Sequence, residues 1–290
     1  MPDDLFYHVD GDLVPADEAT VSVDDRGFRY GDAAFETLRA YGGTIFAWEA
    51  HRKRLERTCD TLSLDHGLSA AELHTRIDET LTANGLSDAY VRLSITRGVQ
   101  PGKLTPRSVT DPTVVVYVKP LPRGGLDGEP VWDHPVTVET VETRRVPDEA
   151  IPAAAKTHNY LNGILARANL SSDADEALMC GLDGRIAEGA TSNLCFVRNG
   201  ELHTPTTDGP VLPGITRKIV LELAREAGIS VIEDRYELSD VLEADEAFLT
   251  NRTWELRPIE TLDEESVGSG PVTERLSRLY DERVERSCYQ

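Results

Sequence analysis

Lysine is scarce in this sequence: it supplies 5 of the 290 residues, whereas arginine supplies 25. Acidic residues outnumber basic ones by 51 to 30, and the formal net charge is −21 at pH 7. Such a surface repels polyanions, so we expect neither nucleic acid nor an anionic membrane among its partners. Acid-rich, lysine-poor surfaces are typical of proteins adapted to high salt, where charges are screened within about 3 Å. The composition therefore predicts a halophilic source.

Cysteine and long apolar runs are also lacking. The four cysteines contain no C-x-x-C pair, which argues against a zinc site and favours buried free thiols. No stretch approaches the roughly 20 apolar residues of a membrane helix. The acidic N-terminus has neither the positive charge nor the apolar run of a secretory signal. We therefore expect a cytoplasmic protein that binds no metal and contacts no membrane.

Strand patterns and helix patterns alternate along the chain, and a hydrophobic content of 40% can form a sizeable core. Residues Val114–Val118 form a continuous apolar run, which predicts a central strand. Apolar residues at helical spacing predict helices over Trp48–Leu62 and Ile215–Ala227. Proline and glycine cluster between residues 120 and 130 and mark a linker. The pattern predicts an α+β protein with a small N-terminal domain at 1–120, a linker at 121–130 and a larger domain at 131–290 that carries Lys156.

Three segments combine residue types that suit a cofactor site. Lys156 follows three alanines, and apolar surroundings lower the pKa of a lysine and make it a nucleophile that can form an imine. Glu188 precedes a glycine-containing turn, where a carboxylate can pair with a buried cation. Leu212–Arg217 opens a helix, whose N-terminus suits a phosphate. Each segment taken alone also fits a plain alternative: a surface lysine, a solvated turn carboxylate and an ordinary Gly/Pro turn.

Taken together and in order, the segments resemble the fold-type IV, or class IV, pyridoxal-phosphate enzymes. That family comprises branched-chain aminotransferases, D-amino-acid aminotransferases and aminodeoxychorismate lyases. The resemblance covers nearly the whole chain and implies a two-domain α+β fold of the D-amino-acid aminotransferase type. It also implies a homodimer in which the segment near Arg29 and Tyr30 completes the active site of the partner. The resemblance is carried by seven segments: Asp25–Asp32, Phe35–Arg39, His51–Leu55, Lys156–Leu161, Glu188–Asn193, Leu212–Arg217 and Ala244–Ala247.

The resemblance implies pyridoxal 5'-phosphate as the cofactor and gives roles to individual residues. Lys156 would hold the cofactor as a Schiff base and later move the substrate proton. Glu188 would pair with the pyridine nitrogen and keep it protonated. Arg54 would bind the phosphate as a guanidinium fork, with Ile215 and Thr216 as further donors. The implied cofactor contacts are completed by Tyr160, Asn251 and Arg252.

Residues around the substrate follow from the same resemblance. Tyr30, Tyr90 and Arg92 match positions that branched-chain aminotransferases use around the substrate carboxylate. One position departs from the family pattern, because Arg252 stands where a small hydroxyl residue or glycine is usual. The implied substrate contacts are Tyr30, Phe35, Thr37, Arg39, Tyr90 and Arg92.

Three functions stay open at this point. The match around the carboxylate favours a transaminase that moves an amino group between an α-amino acid of the branched-chain type and a 2-oxo acid. Thr37 and the Thr250-Asn251 pair look more like 4-amino-4-deoxychorismate lyase, which releases pyruvate and 4-aminobenzoate. The Arg and His of the D-amino-acid branch are missing after Gly98, where Lys103 or Arg107 could substitute. A non-catalytic binding protein is the third reading, and the presence of both Lys156 and Glu188 opposes it.

Overall fold

The computed structural model describes residues 5–107, 111–126, 128–171 and 173–289. These residues divide into two compact units. The first unit comprises the described residues up to Arg123, the segment Ala155–Asn159 and the residues from Arg286 onward. The second unit comprises the described residues of Gly124–Ala154 and Tyr160–Glu285. This division differs from the sequence-based one, which grouped Lys156 with the C-terminal domain.

The first unit is built on one antiparallel sheet, and a hairpin that turns at Asp10-Gly11 joins it at one edge. Its elements in chain order are β1 (Phe6–Val9), β2 (Asp12–Pro15), α1 (Arg26–Tyr30), β3 (Ala33–Tyr41), β4 (Thr44–Ile45), α2 (Trp48–Leu62), α3 (Ala70–Ala83), β5 (Ala89–Thr96) and β6 (Val114–Pro120). The strand order is β2-β1-β6-β5-β3-β4. The apolar strand β6 is therefore interior, which confirms its predicted central position.

The two faces of this sheet differ because side chains alternate along each strand. Leu38, Val91, Leu93 and Val116 belong to the buried apolar core, together with residues of α2 and α3 such as Ile77. The opposite face carries the other half of each strand. Pairing of Phe35 with Ser94, Thr37 with Arg92 and Arg39 with Tyr90 places these six side chains on that second face.

The second unit contains a mixed sheet and its own apolar core. Its elements are β7 (Val136–Thr140), α4 (Leu161–Ala168), β8 (Glu176–Cys180), β9 (Ile186–Gly189), β10 (Asn193–Arg198), β11 (Glu201–Pro205), α5 (Ile215–Glu226), β12 (Val231–Asp234), α6 (Leu238–Leu242), β13 (Glu246–Asn251), β14 (Glu255–Leu262), β15 (Glu265–Ser266) and α7 (Pro271–Cys288). The last residues of α7, from Arg286, group with the first unit. The strand order is β12-β11-β10-β13-β14-β7-β8-β9, and β15 pairs with β14.

Strand β14 was not predicted from the sequence, although it is eight residues long and mostly buried. It contains Pro258 directly after the charged Arg257, and a proline argues against an interior strand. The short elements α1, β11 and α6 also lacked a clear periodic signal. The four cysteines are free and buried, as predicted. Within the described residues, no helix is long and apolar enough to cross a membrane, and His, Cys, Asp and Glu side chains form no cluster that could hold a metal ion.

Candidate active site

Lys156 lies in a short extended segment that pairs with the start of β3. The amide of Phe35 donates to the carbonyl of Lys156 at 3.0 Å, and the amide of His158 donates to the carbonyl of Ala33 at 3.0 Å. Thr157 is paired with Ala34 across this antiparallel bridge. Strand alternation therefore places Lys156 and His158 on the same face as Phe35. This backbone pairing is the physical reason that residues 155–159 group with the first unit.

The side chain and backbone of Lys156 are both held. Its Nζ atom lies 4.5 Å from the centroid of the Phe35 ring. Its backbone amide donates to Thr58 Oγ1 of α2 at 3.0 Å. The residue is half-buried, and its amine lies against an aromatic ring. A primary amine in this position is a group that can form an imine with an aldehyde.

Arg92, Ser94 and His158 surround the same aromatic ring. The guanidinium carbon of Arg92 lies 3.8 Å from the Phe35 centroid, and the His158 ring meets Phe35 edge-on at 5.5 Å. Burial, and then the nearby charge of Arg92, lowers the pKa of His158 to about 4. Arg92 has no carboxylate partner among the described residues. The cluster therefore joins a neutral imidazole to an unneutralised guanidinium, which suits binding of an anion.

Glu36 points away from this cluster, into the interior beside α2. Arg54 donates to both of its carboxylate oxygens, from Nε at 2.8 Å and from Nη2 at 2.7 Å. His51 Nδ1 lies 2.7 Å from Glu36 Oε2. Burial by itself would raise the pKa of Glu36, but Arg54 and then His51 outweigh it and hold that pKa at about 2. The predicted phosphate role of Arg54 remains a prediction, and the structure adds that Glu36 fixes the position of its guanidinium.

The other predicted substrate residues have different surroundings. Thr37 and Tyr90 are half-buried on the second face of the sheet, and Lys119 Nζ lies 4.9 Å from the Tyr90 ring. Tyr30 is 39% exposed and lies beside the guanidinium of Arg29. Their substrate roles remain predictions.

The side chain of Arg39 is fully buried, and its predicted substrate role remains a prediction. Its Nη2 atom donates to the carbonyl oxygens of Leu121 and Pro122 at 3.0 and 2.9 Å. Its guanidinium also lies 4.9 Å from the Tyr41 ring. These hydrogen bonds hold the segment that follows β6 in place.

In the second unit, Glu188 lies in β9 and accepts hydrogen bonds on both carboxylate oxygens. Arg145 Nε donates to Oε1 at 2.8 Å. The amide of Leu212 and the side-chain amide of Asn193 donate to Oε2 at 2.9 and 3.3 Å. The residue is buried, and the guanidinium of Arg145 fixes the orientation of its carboxylate. Glu188 is thus suited to pair with a protonated ring nitrogen.

The turn after Glu188 is held by a second buried carboxylate, Glu176. Its Oε2 accepts from the amide of Thr191 and from the hydroxyls of Thr191 and Ser192. Its Oε1 accepts from Arg167 Nη1 at 3.1 Å. Sequence reasoning missed this residue, although an acidic side chain at the start of the apolar strand β8 was an available signal.

Helix α5 begins at a position suited to an anion. Its N-cap is Gly214, which provides no side-chain cap for the amides of the first turn. A Cβ atom at Gly214 would clash with Asn193 Oδ1, so a larger residue there would displace the Asn193 side chain. Ile215 and Thr216, both buried, follow in the first turn. The free N–H groups and the helix dipole fit a phosphate group.

Strand β13 adds an unsatisfied hydroxyl to the second unit. Thr250 Oγ1 is buried and has no hydrogen-bond partner in the described part of the chain. Thr250 is paired with Asn193 across the neighbouring strands. An orphaned buried hydroxyl costs free energy unless a bound group satisfies it. This observation agrees with a polar ligand beside β10 and β13.

Three predicted cofactor residues have internal contacts. Asn251 Oδ1 accepts from the amides of Thr253 and Trp254 at 2.9 and 2.7 Å and so closes a tight turn. Arg252 is buried, and its Nη1 atom donates to the hydroxyl of Tyr280 at 3.0 Å. Tyr160 is half-buried at the N-cap of α4. Their cofactor roles remain predictions.

Residues 33–262 match the family model described as amino-transferase class IV. The chain belongs to this family. It is 36% identical over 281 residues to the Methanocaldococcus jannaschii protein named "Putative branched-chain-amino-acid aminotransferase", with 95% of each chain covered. It is 31% identical over 290 residues to aminodeoxychorismate lyase of Bacillus subtilis, with 98% of this chain and 97% of the relative covered.

Solved structures of class IV aminotransferases share the fold. The branched-chain aminotransferase of Thermoproteus uzoniensis, solved with norvaline, superposes with a TM-score of 0.88 at 30% identity and covers 97% of this chain and 94% of its own. The likeness confirms the predicted α+β, fold-type IV architecture. Class IV aminotransferases use pyridoxal 5'-phosphate, and a second branched-chain enzyme of this fold was solved with N-(5'-phosphopyridoxyl)-L-glutamate and with pyridoxamine 5'-phosphate. The donors around Glu188, Thr250 and the start of α5 fit that cofactor.

Proposed function

We propose that this class IV aminotransferase moves an amino group between a branched-chain α-amino acid and a 2-oxo acid. The observation that carries the proposal is the arrangement around Phe35. A half-buried lysine amine and a guanidinium without a carboxylate partner among the described residues contact one aromatic ring on one face of a sheet. A nucleophilic amine beside an anion-binding group is what an amino-acid substrate requires. The branched-chain assignment is supported by the names of the Methanocaldococcus jannaschii and Thermoproteus uzoniensis proteins.

In this proposal Lys156, Glu188 and Arg92 have separate roles. When bound, pyridoxal phosphate supplies an aldehyde that takes up amines and a ring that stabilises negative charge on the substrate α-carbon. Lys156 Nζ would hold the cofactor and would move the proton at the substrate α-carbon. Glu188, oriented by Arg145, would pair with the ring nitrogen of the cofactor. Arg92 binds the substrate carboxylate through its Nη atoms.

Phosphate binding is assigned to donors from different parts of the sequence. The first-turn amides of α5 and the hydroxyl of Thr216 supply neutral donors. Arg54 supplies a charge whose orientation Glu36 fixes. A fixed guanidinium binds a phosphate with less loss of side-chain entropy than a free one.

Aminodeoxychorismate lyase is the second candidate. The Bacillus subtilis lyase is 31% identical to this chain over nearly its whole length. Thr37, half-buried on the second face of the first sheet, is the residue that favours this branch. In that reaction the same groups would release pyruvate and 4-aminobenzoate from 4-amino-4-deoxychorismate.

A reconstitution experiment separates the candidates. We expect the protein to bind pyridoxal phosphate, to show visible absorption and to be labelled at Lys156 by borohydride. L-leucine should bleach the absorption in the transaminase case. Persistent absorption with pyruvate release from aminodeoxychorismate would instead identify the lyase. Lys156→Ala should abolish labelling and turnover, whereas Lys53→Ala, an exposed lysine on α2, should retain both; full turnover in Lys156→Ala would refute the proposal.

We also propose a homodimer. Leu161, Ile164 and Leu165 form an apolar stripe on α4, and they are 62%, 60% and 50% exposed. An exposed stripe of this kind is typical of an interface. Phe28 in α1, near the segment predicted to complete the partner's site, is 72% exposed. A monomer in light scattering at active concentrations would exclude this assembly.

A cytoplasmic location in a salt-adapted cell completes the proposal. It is supported by the net charge of −21 and by the small number of lysines. A protein of this composition keeps its solubility when salt screens the charges.

A further inference from the structure

Arg92, Ser94 and His158 form a hydrogen-bonded chain beside Lys156. Arg92 Nε donates to Ser94 Oγ at 3.3 Å. His158 Nε2 lies 3.1 Å from the same oxygen. Ser94 is buried on β5, directly opposite Phe35 of β3. The family resemblance gives no role to Ser94 or His158.

The available protons determine which group donates and which accepts in each of these hydrogen bonds. Arginine can only donate, so Ser94 Oγ accepts from Arg92 and has its own hydrogen available. That hydrogen is donated to His158 Nε2, provided that the imidazole is neutral with its proton on Nδ1. The imidazole is neutral near pH 7, because burial and the Arg92 charge lower the pKa of His158 to about 4. Each of the three groups therefore has a compatible role.

The hydrogen-bonded chain limits how the guanidinium of Arg92 can turn. Nε is used by Ser94, and the guanidinium carbon lies 3.8 Å from the Phe35 centroid. These two contacts fix the plane of the group and leave the Nη1 and Nη2 atoms as donors. Two parallel donors in a fixed plane match the two oxygens of a carboxylate. A guanidinium oriented before the substrate arrives loses less entropy on binding.

We propose that Ser94 and His158 are positioning residues that hold Arg92 in the orientation in which it binds the substrate carboxylate. The proposal rests on the function proposed above and names the residues that set its selectivity for carboxylate-bearing amines. His158 is placed for this role by strand alternation, two residues after Lys156 and on the same face. It acts through Arg92 and needs no contact with the substrate.

The test compares His158→Leu, His158→Gln and Ser94→Ala with the wild type. In the leucine and alanine variants the KM for L-leucine should rise about tenfold or more, with kcat changed by less than about threefold, because only carboxylate binding is affected. Glutamine places an amide near the position of Nε2 and should recover part of the loss. The amine 3-methylbutylamine, which is leucine without its carboxylate, should react equally poorly with all four proteins. His74→Leu, a half-exposed histidine on α3, is the matched control and should behave as the wild type.

Two results would overturn the inference. One is an unchanged KM for L-leucine in both His158→Leu and Ser94→Ala. The other is an equal loss with 3-methylbutylamine, which would indicate a general disturbance rather than carboxylate binding. Ser94→Ala removes one oxygen and leaves the backbone pairing of β5 intact. It therefore tests the Arg92–Ser94–His158 hydrogen bonds if His158→Leu fails to fold. Absence of Lys156 labelling in the wild type would instead refute the proposed function and is distinguishable from either result.

Discussion

Adjacent residues of β3 take part in two different sets of interactions, because their side chains point to opposite faces of the sheet. Phe35 faces Lys156 and Arg92 on one side of the sheet, whereas Glu36 faces Arg54 on the other. Adjacent positions in a strand point to opposite faces. A buried ion pair can therefore form next to the candidate site without neutralising the guanidinium that is left for the substrate.

Glu36→Gln should destabilise the fold by about 3–5 kcal/mol near pH 7, because it removes the carboxylate from a buried guanidinium. The pKa of Glu36 is about 2, below its ordinary value of 4.5. The stabilisation is therefore complete above pH 4.5 and is lost as the pH falls through 2. Urea unfolding at several pH values measures it.

The matched control for that change is Glu49→Gln, an exposed acid paired with Arg52 on α2. Exposed pairs of this type contribute little, so we expect the unfolding free energy of this variant to stay close to that of the wild type. Equal losses in the two variants would show that burial of the Glu36 pair is not the cause.

His158 should make the unfolding free energy depend on pH. Its pKa is about 4 in the folded chain, against an ordinary value of 6.5. Between these values the unfolded chain binds more protons, so stability rises with pH across that window. Relative to His158→Gln, the wild type should gain roughly 3 kcal/mol between about pH 4 and pH 7. A difference that stays constant with pH would contradict the buried, neutral imidazole.

At the scale of elements, the start of α5 includes a close approach between Gly214 and a neighbouring strand. Gly214 lies against the side chain of Asn193, which also donates to the carbonyl of Leu212 at 2.9 Å. Asn193 in turn donates to Glu188. Asn193 therefore connects Glu188 of β9 with the helix terminus assigned to phosphate.

Gly214→Ala should lower the unfolding free energy by about 1–3 kcal/mol and weaken pyridoxal-phosphate binding, because the added Cβ displaces Asn193. Thermal unfolding with and without the cofactor, and cofactor titration, measure both effects. Gly209→Ala is the control, since a Cβ there meets nothing within 4 Å. Normal cofactor affinity in Gly214→Ala would count against phosphate binding at this helix start.

At the scale of the whole molecule, the net charge of −21 opposes compactness in dilute buffer. That balance already includes the basic partners in ion pairs such as Arg52 with Glu56 and Arg278 with Glu282, so these pairs do not reduce it. The remaining acids repel one another over about 10 Å in 0.1 M salt and over only about 3 Å in 1 M salt.

The midpoint of thermal unfolding should therefore rise as KCl increases from about 0.1 M towards molar concentrations. Differential scanning calorimetry measures the change. Sucrose at equal osmolality is the control, because it excludes itself from the protein surface without screening charge. Greater stability at low salt than in molar KCl would refute salt adaptation.

The sequence by itself determined the local elements with strong periodicity, the order of the motifs and the family. Helices α2 and α5 follow from apolar spacing, and Lys156 and Glu188 were identified by their motifs. Tertiary structure decided which of these residues meet. Ser94 and His158 are 64 residues apart in the chain, and the carbonyls that hold Arg39 lie 82 and 83 residues beyond it. Such contacts depend on strand pairing and burial between distant segments, and the local spacing of apolar residues does not predict them.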